Sequence, residues 1–454
     1  MIQSKNPATE EIIKTFEEDS SSIVQSKIKE AKDAFISWKK TDFPARSKLF
    51  KKLAEYLRKN KTELGKLASL EMGKVLSVAE GEVDKCAFVC DFYADHAEEF
   101  LKIEKTNTDA SESYVEFDPL GVILAVMPWN FPYWQVLRFA APTLMAGNVG
   151  ILKHASNVQM CAEAIEKAFT ESGFPQGVFQ NLVIGSDKVE GVIRNPHIAA
   201  ITLTGSEKAG SMVAKVAGEE LKKTVLELGG SDPFIVFDDA DLELAVKLAV
   251  VTRMQGNVGQ SCISAKRFIV HKKVFDRFVS GVSETFKNLK VGDPLDSTVQ
   301  VGPLATEQIL KDVASQVDRS IALGAEVEVG GRRIGATGYF YEPTVLTNVT
   351  REMPVMLEEV FGPVISVISF QTDEEAVEIA NDTPYGLASS IFTKDMKRAE
   401  KLIPQIEAGS VFVNEQVKSD PRVPFGGIKK SGYGRELSHY GIREFVNIKN
   451  VWIK

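Results

Sequence analysis

A cysteine set among small and polar residues, in Gly256-Asn257-Val258-Gly259-Gln260-Ser261-Cys262, stands between a helical stretch and a strand beginning near Lys266. A thiol in such a turn is open to a substrate, although a solitary cysteine is more often inert core than nucleophile. It needs companions, and two stand out. Glu227, in Leu226-Glu227-Leu228-Gly229-Gly230, ends an otherwise apolar strand, which puts a carboxylate where parallel sheets carry functional groups; its plain reading is a surface charge capping the strand. Asn130, in Met127-Pro128-Trp129-Asn130-Phe131-Pro132, also follows a strand and equally reads as a turn former before a bend. Together these types supply a nucleophile, a carboxylate able to prime water and an amide donor for an oxyanion.

The other three of the four cysteines read differently. Cys86 and Cys90 stand four apart in an apparent helix with His96 beyond, but no second ligand pair of zinc-like spacing follows, so no metal site is expected. Buried packing is the better account of both, and of Cys161 on the helix face from Cys161 to Phe169. So few cysteines do not make a disulfide framework and fit a reducing compartment.

The elements that must hold these residues follow from hydrophobic period. Ile23 to Trp38, Arg46 to Lys59 and Lys61 to Glu71 carry apolar residues at helical intervals, so the first hundred residues read as a helical wrapping. Ser111 to Phe117 alternates like an exposed or edge strand, with a partner expected near the C-terminus. From Gly121 a strand-and-helix alternation begins: strands Val122 to Val126, Val149 to Leu152, Val178 to Val183, Ala199 to Leu203 and Thr224 to Leu228, with helices Tyr133 to Met145, Val158 to Ser172, Lys188 to Arg194 and Glu207 to Ala217 between them. Apolar strands each followed by a helix imply a parallel sheet, with ligands at the strand C-terminal ends. A second such unit starts at Pro233 to Phe237, includes a strand Arg267 to Val270, and runs to about Asn414; a glycine-rich turn from Phe425 to Gly434 and a final strand Val446 to Ile453 close the chain.

The chain has 454 residues, 44% apolar and 26% charged, a globular balance spread over two or three lobes. Acidic residues outnumber basic ones 62 to 54, for a formal charge of −8, which argues against a nucleic-acid partner. Residues 1 to 10 hold no signal-like apolar core and no run reaches membrane length, so neither export nor a membrane partner is expected and a cytoplasmic location is.

Six motifs, in this order and spacing, give the chain its resemblance to the aldehyde dehydrogenase superfamily over nearly its whole length: Pro128-Trp129-Asn130-Phe131-Pro132, Thr204-Gly205-Ser206 with Gly210, Glu227-Leu228-Gly229-Gly230, Gly259-Gln260-Ser261-Cys262, Glu359-Val360-Phe361-Gly362-Pro363 and Pro424-Phe425-Gly426-Gly427. The resemblance implies an α/β fold of two parallel-sheet domains and a small β oligomerisation arm. Residues 1–104 and 120–228 would bind cofactor, 229–414 would carry the nucleophile, and 105–119 with 436–454 would form bridging strands of a homodimer or homotetramer. It also implies roles: a thiohemiacetal on Cys262, an oxyanion held by the Asn130 amide and the Cys262 N–H, hydride leaving to a nicotinamide, and a thioester hydrolysed with Glu227 as base. Lys153 belongs to the same constellation, and which group first takes the Cys262 proton stays open.

The three-glycine dinucleotide fingerprint is absent. Instead Gly205-Ser206-Glu207-Lys208-Ala209-Gly210 opens a helix after a strand, offering N–H groups and the Ser206 hydroxyl to a pyrophosphate. Lys153-His154-Ala155-Ser156 matches the segment that meets the adenosine ribose; where many NAD-using relatives carry glutamate, this chain has Ser156, so NADP is expected to be preferred, with NAD possible. Trp129 lies in the cofactor cleft by the same resemblance, and Glu359 and Phe361 match the residues holding the nicotinamide ribose and ring. Ser156 and the segment from Val417 to Gly427 most resemble the short succinate-semialdehyde dehydrogenases, which points to a small anionic aldehyde. Arg138 matches that group's carboxylate-binding arginine, with Ser419 as hydroxyl donor; its plain alternative is an interface salt bridge. A second arginine found in some of these enzymes falls at Gly256 here, with Arg422 the stand-in to consider. Competing functions are a broader aliphatic aldehyde dehydrogenase and an acylating or reductive enzyme of the same fold.

Overall fold

A computed structural model describes residues 1–255 and 257–454. Its first sheet grows from the apolar strands that need cover on both faces. In spatial order it runs Gly432–Tyr433, Lys223–Glu227, Ile198–Thr204, Val122–Met127, Val149–His154, Phe179–Asn181. The last five are mutually parallel. The first pairs antiparallel through Gly432 with Glu227, a strand from the glycine-rich tail that the period did not disclose. The second sheet runs Glu326–Val329, Thr344–Thr347, Val364–Phe370, Arg267–His271, Pro233–Val236, Ala388–Phe392, Ser410–Val413, parallel except for its antiparallel edge Glu326–Val329. Each sheet has its own apolar core.

Helices Ser21–Trp38, Phe43–Lys59, Lys61–Met72 and Leu76–Phe100 wrap the first sheet. The first buries Val24, Ile28, Ala31, Phe35 and Trp38 at the three- and four-residue spacing of one helical face, and Ser20 caps it by accepting from Ile23 N. The expectation of helix across the first hundred residues needs correction at its start. Ile2–Lys5 and Ile12–Phe16 form an antiparallel hairpin. Asn6-Pro7 between them is a turn signal, and segments this short cannot show a helical period. The expected strand Val178 to Val183 shortens to Phe179–Asn181, and the helix Lys188 to Arg194 to Val189–Ile193.

The edge strand expected near residue 111 is Glu112–Pro119, and its partner is the C-terminal Val446–Ile453. With Glu104–Lys105 they make a separate three-stranded antiparallel sheet. Among the described residues, no helix is long and apolar enough to cross a membrane.

Candidate active site

The loop bearing Cys262 leaves a π-helical turn, Val251–Gln255, and enters Arg267–His271 of the second sheet. Within it Val258 and Gly259 both hold positive φ, 55° and 72°. A side chain on Gly259 would put its Cβ 2.0 Å from the Gly362 carbonyl oxygen, so only glycine lets the loop lie against the Glu359–Gly362 segment. Though it arises from the second sheet, Cys262 packs on the core of the first. Lys266, fully buried, fixes the loop by donating to the carbonyls of Ser261 at 2.8 Å and Cys262 at 2.6 Å.

Asn130 is locked to the same loop. Its Nδ2 donates to Gln260 O at 3.0 Å, its Oδ1 accepts from Gln135 Nε2 at 3.0 Å, and its carbonyl accepts from Asn257 Nδ2 at 2.8 Å. These bonds set the amide orientation and leave Nδ2 a second N–H to donate. The Cys262 thiol is half-buried, and burial pushes it up to about 12 against the pull of the Lys266 and Arg138 charges. It therefore rests as a thiol. Cys86, Cys90 and Cys161 are fully buried, with burial raising their thiols as well, and they are packing residues, as the sequence implied.

Glu227 ends the strand Lys223–Glu227, and its chain continues into Gly229 and Gly230, where a Cβ on Gly230 would stand 2.9 Å from the Cys262 carbonyl oxygen. The strand end is thus pressed on the Cys262 loop. Glu227 is buried, and neither carboxylate oxygen has a hydrogen-bond partner among the described residues. Burial first, then the charge of Glu436, raises it well above the usual carboxylate range, while Arg138 and Arg435 act the other way. Glu436 is a residue that sequence reasoning missed. It is buried in the tail and paired with Arg138 Nε at 2.5 Å. Nothing in its motif signals this, because the contact joins distant parts of the chain.

On the cofactor side, Ser206 caps the helix Glu207–Glu219, its hydroxyl accepting from Ala209 N at 3.3 Å, with Gly205 just before it. A cavity of about 340 Å³ opens between this helix and Lys153, with Val126 and Leu203 as apolar wall. Lys153 ends the strand Val149–His154, and burial lowers its ammonium from the ordinary value. Ser156 is exposed in the turn beyond. Helix-terminal N–H groups, a buried lysine and apolar walls fit a dinucleotide's phosphates and adenosine. Glu359 Oε1 accepts from Gly230 N at 3.0 Å and pairs with Lys266 at 3.3 Å, and Trp129 meets Phe361 edge-on, ring centres 5.9 Å apart. Those contacts bring Trp129, Glu359 and Phe361 to the Cys262 loop.

Arg138, besides pairing with Glu436, reaches Thr204 Oγ1 at 3.4 Å and lies over the Phe425 ring at 4.8 Å. The salt-bridge alternative for Arg138 is therefore realised within the site itself. Ser419 is buried and accepts a hydrogen bond from Lys85 Nζ at 2.8 Å, a neighbour not foreseen. Arg422, considered as a stand-in for the missing arginine, is exposed and forks onto Asp420 at 2.8 and 2.5 Å. Gly256, where that arginine would fall, lies outside the described residues.

The model of the aldehyde dehydrogenase family matches residues 1–451. The chain is 52% identical over 452 residues to a probable NADP(+) succinate-semialdehyde dehydrogenase of Synechocystis sp., covering 100% of this chain and 99% of the relative. It is 50% identical over 455 residues to the NADP(+) succinate-semialdehyde dehydrogenase 1 of Mycobacterium bovis, with 100% and 99% covered. Among solved structures, the succinic semialdehyde dehydrogenase of Streptococcus pyogenes in complex with NADP+ superposes with a TM-score of 0.97 at 40% identity, covering 100% of both chains.

Proposed function

The chain belongs to the aldehyde dehydrogenase family, and from that premise we propose that it oxidises succinate semialdehyde to succinate with NADP, through a thioester on Cys262. The observation that carries the chemistry is the buried, unpartnered Glu227, one glycine pair away from a cysteine loop pinned to the Asn130 amide. The relatives named for this substrate and cofactor, matched end to end, carry the specificity.

In this reading the Cys262 thiol gives up its proton to solvent water and its sulfur bonds to the aldehyde carbon. The new oxyanion takes hydrogen bonds from the free N–H of Asn130 Nδ2 and from the Cys262 N–H. A nicotinamide held there would supply the two-electron oxidant for loss of the substrate's hydride. Glu227 then takes a proton from water, whose oxygen attacks the thioester carbon, and Cys262 leaves as thiolate. A carboxyl whose burial keeps its pKa high is a stronger base toward water than an exposed one, which is what this step asks of Glu227. Gly205, Ser206 and Lys153 would hold the phosphates and Trp129, Glu359 and Phe361 the nicotinamide end. Ser156 leaves room for a 2′-phosphate that a carboxylate there would repel. Arg138 and Ser419 would receive the substrate's distal carboxylate.

We assign residues 1–104 and 120–228 to cofactor binding, 229–414 to the nucleophile's domain, and 105–119 with 436–454 to assembly of a homo-oligomer. Exposed Ile448, Trp452 and Ile453 on the terminal strand support the last. A cytoplasmic setting agrees with four free cysteines.

Steady-state kinetics without coenzyme A, comparing succinate semialdehyde with butanal and NADP with NAD, test the proposal. The expected kcat/KM is higher for succinate semialdehyde by roughly tenfold or more, as a charge-assisted contact provides, and higher with NADP. Equal values for the two aldehydes would refute the substrate, and a lower value with NADP the cofactor. Ser156→Glu should move the preference toward NAD.

A further inference from the structure

The missing second arginine leaves the substrate's carboxylate with Arg138, whose charge is already met by Glu436. A second cation nonetheless stands beside Ser419. Lys85, on the helix Leu76–Phe100, is half-buried, donates to Ser419 Oγ at 2.8 Å and sits 4.0 Å over the Trp134 ring. Trp134 and Arg138 are four residues apart on the helix Trp134–Met145 and so share a face. Lys85 thus lies along the helix that also positions Gln135, the residue holding Asn130.

What marks Lys85 is the want of an anion. Among the described residues it forms no ion pair, and each acid near it is committed elsewhere. Glu82 is paired with Lys74 and accepts from the N–H groups of Tyr133 and Trp134, each at 2.8 Å. Asp420 is forked by Arg422. Cys86 beside it is a fully buried thiol raised by burial. Burial, and after it the Arg138 charge, lowers the Lys85 ammonium to about 8. Beside it the Trp134 indole N–H is buried without an acceptor among the described residues. The Ser419 hydroxyl, accepting from Lys85, keeps its own proton to donate. An ammonium, an indole N–H and a hydroxyl, all donors and none neutralised, are a costly arrangement to bury unless an anion arrives.

We propose that Lys85 is a specificity-determining residue that binds the distal carboxylate of the substrate together with Ser419. The inference rests on the reading of succinate semialdehyde as substrate. Lys85 supplies the net positive charge that Arg138, held by Glu436, does not, and an uncharged aldehyde makes no use of it.

The experiment measures kcat/KM for succinate semialdehyde and butanal, with saturating NADP, in the wild type, Lys85→Gln and Lys85→Arg, from pH 7 to pH 9.5. Lys85→Gln should lower the ratio of the two values by roughly 10- to 100-fold, the worth of a charge-assisted hydrogen bond, chiefly through KM for succinate semialdehyde. Lys85→Arg should restore most of it. Wild-type KM for succinate semialdehyde should climb as the ammonium loses its proton near and above pH 8, and Lys85→Arg, always charged, should lack that rise. An unchanged ratio in Lys85→Gln, an equal loss on both aldehydes, or the same KM profile in wild type and Lys85→Arg would overturn the role of Lys85 alone. A wild type without preference for succinate semialdehyde would overturn the substrate and the inference with it. Should Lys85→Gln fail to fold, the Lys85→Arg profile still decides.

Discussion

At the scale of single residues, burial sets the resting state of Cys262. Burial outweighs the nearby Lys266 and Arg138 charges and holds the thiol near 12. Lys266 has spent its donors on two carbonyls and Glu359. Below the thiol's pKa the thiolate fraction gains about tenfold per pH unit, so reactivity should rise without a plateau across the neutral range. Alkylation of the cofactor-free enzyme by iodoacetamide, followed between pH 7 and 9, should accelerate about tenfold per unit. A rate already level at pH 7 would mean a preformed thiolate. Cys262, Asn130 and Glu227 were legible because each sits in a short motif whose residue types are odd for their place: a thiol in a polar turn, a carboxylate ending an apolar strand. Glu436, Lys266 and Lys85 were not, because each reads locally as a solvated charge and gains its meaning from a contact across the fold.

At the scale of elements, glycines decide how closely the pieces of the candidate site approach. The Glu227 strand end meets the Cys262 loop at Gly230, the loop meets the Glu359–Gly362 segment at Gly259, and the tail passes Glu227 at Gly426, where a Cβ would stand 2.7 Å from Oε1. Gly259→Ala would meet both a positive φ and backbone at 2.0 Å, with no flexible side chain to yield. We expect it to lower unfolding stability by about 1–3 kcal/mol and to depress kcat, as read by urea denaturation and steady-state assay. An unchanged midpoint and kcat would show that the loop does not need this approach. Strands and long helices were readable because period 2 and period 3.6 persist in them; Gly432–Tyr433 was not, since two residues carry no period and its pairing with Glu227 is set by the tail's path.

At the scale of the whole molecule, the site exists because the two sheets meet at the C-terminal end of the first. Asn130 and Glu227 come from one side, Cys262, Lys266 and Glu359 from the other, and the tail returns to supply Glu436 and Ser419. The alternation of strands and helices made the two units readable, but not the tail's return across them, which no local pattern encodes. The terminal strand Val446–Ile453 pairs along its full length with Glu112–Pro119, and it is an edge strand with Ile448 62% and Trp452 50% exposed. A free edge with apolar side chains needs a cover. In the proposed homo-oligomer, replacing Ile448 and Trp452 together by aspartate should shift the sedimentation mass to a smaller species, and a mass equal to the wild type's would remove this strand from the proposed interface.

The thioester itself is the most direct test. On the proposed mechanism Glu227→Gln removes the base that primes water and should let the acylated enzyme accumulate. Mixed with succinate semialdehyde and NADP, then quenched in acid, this variant should give one NADPH per site and a succinyl group on the peptide containing Cys262. NADPH formed in that amount with the Cys262 peptide unmodified, or acylation found on another residue, would contradict the account.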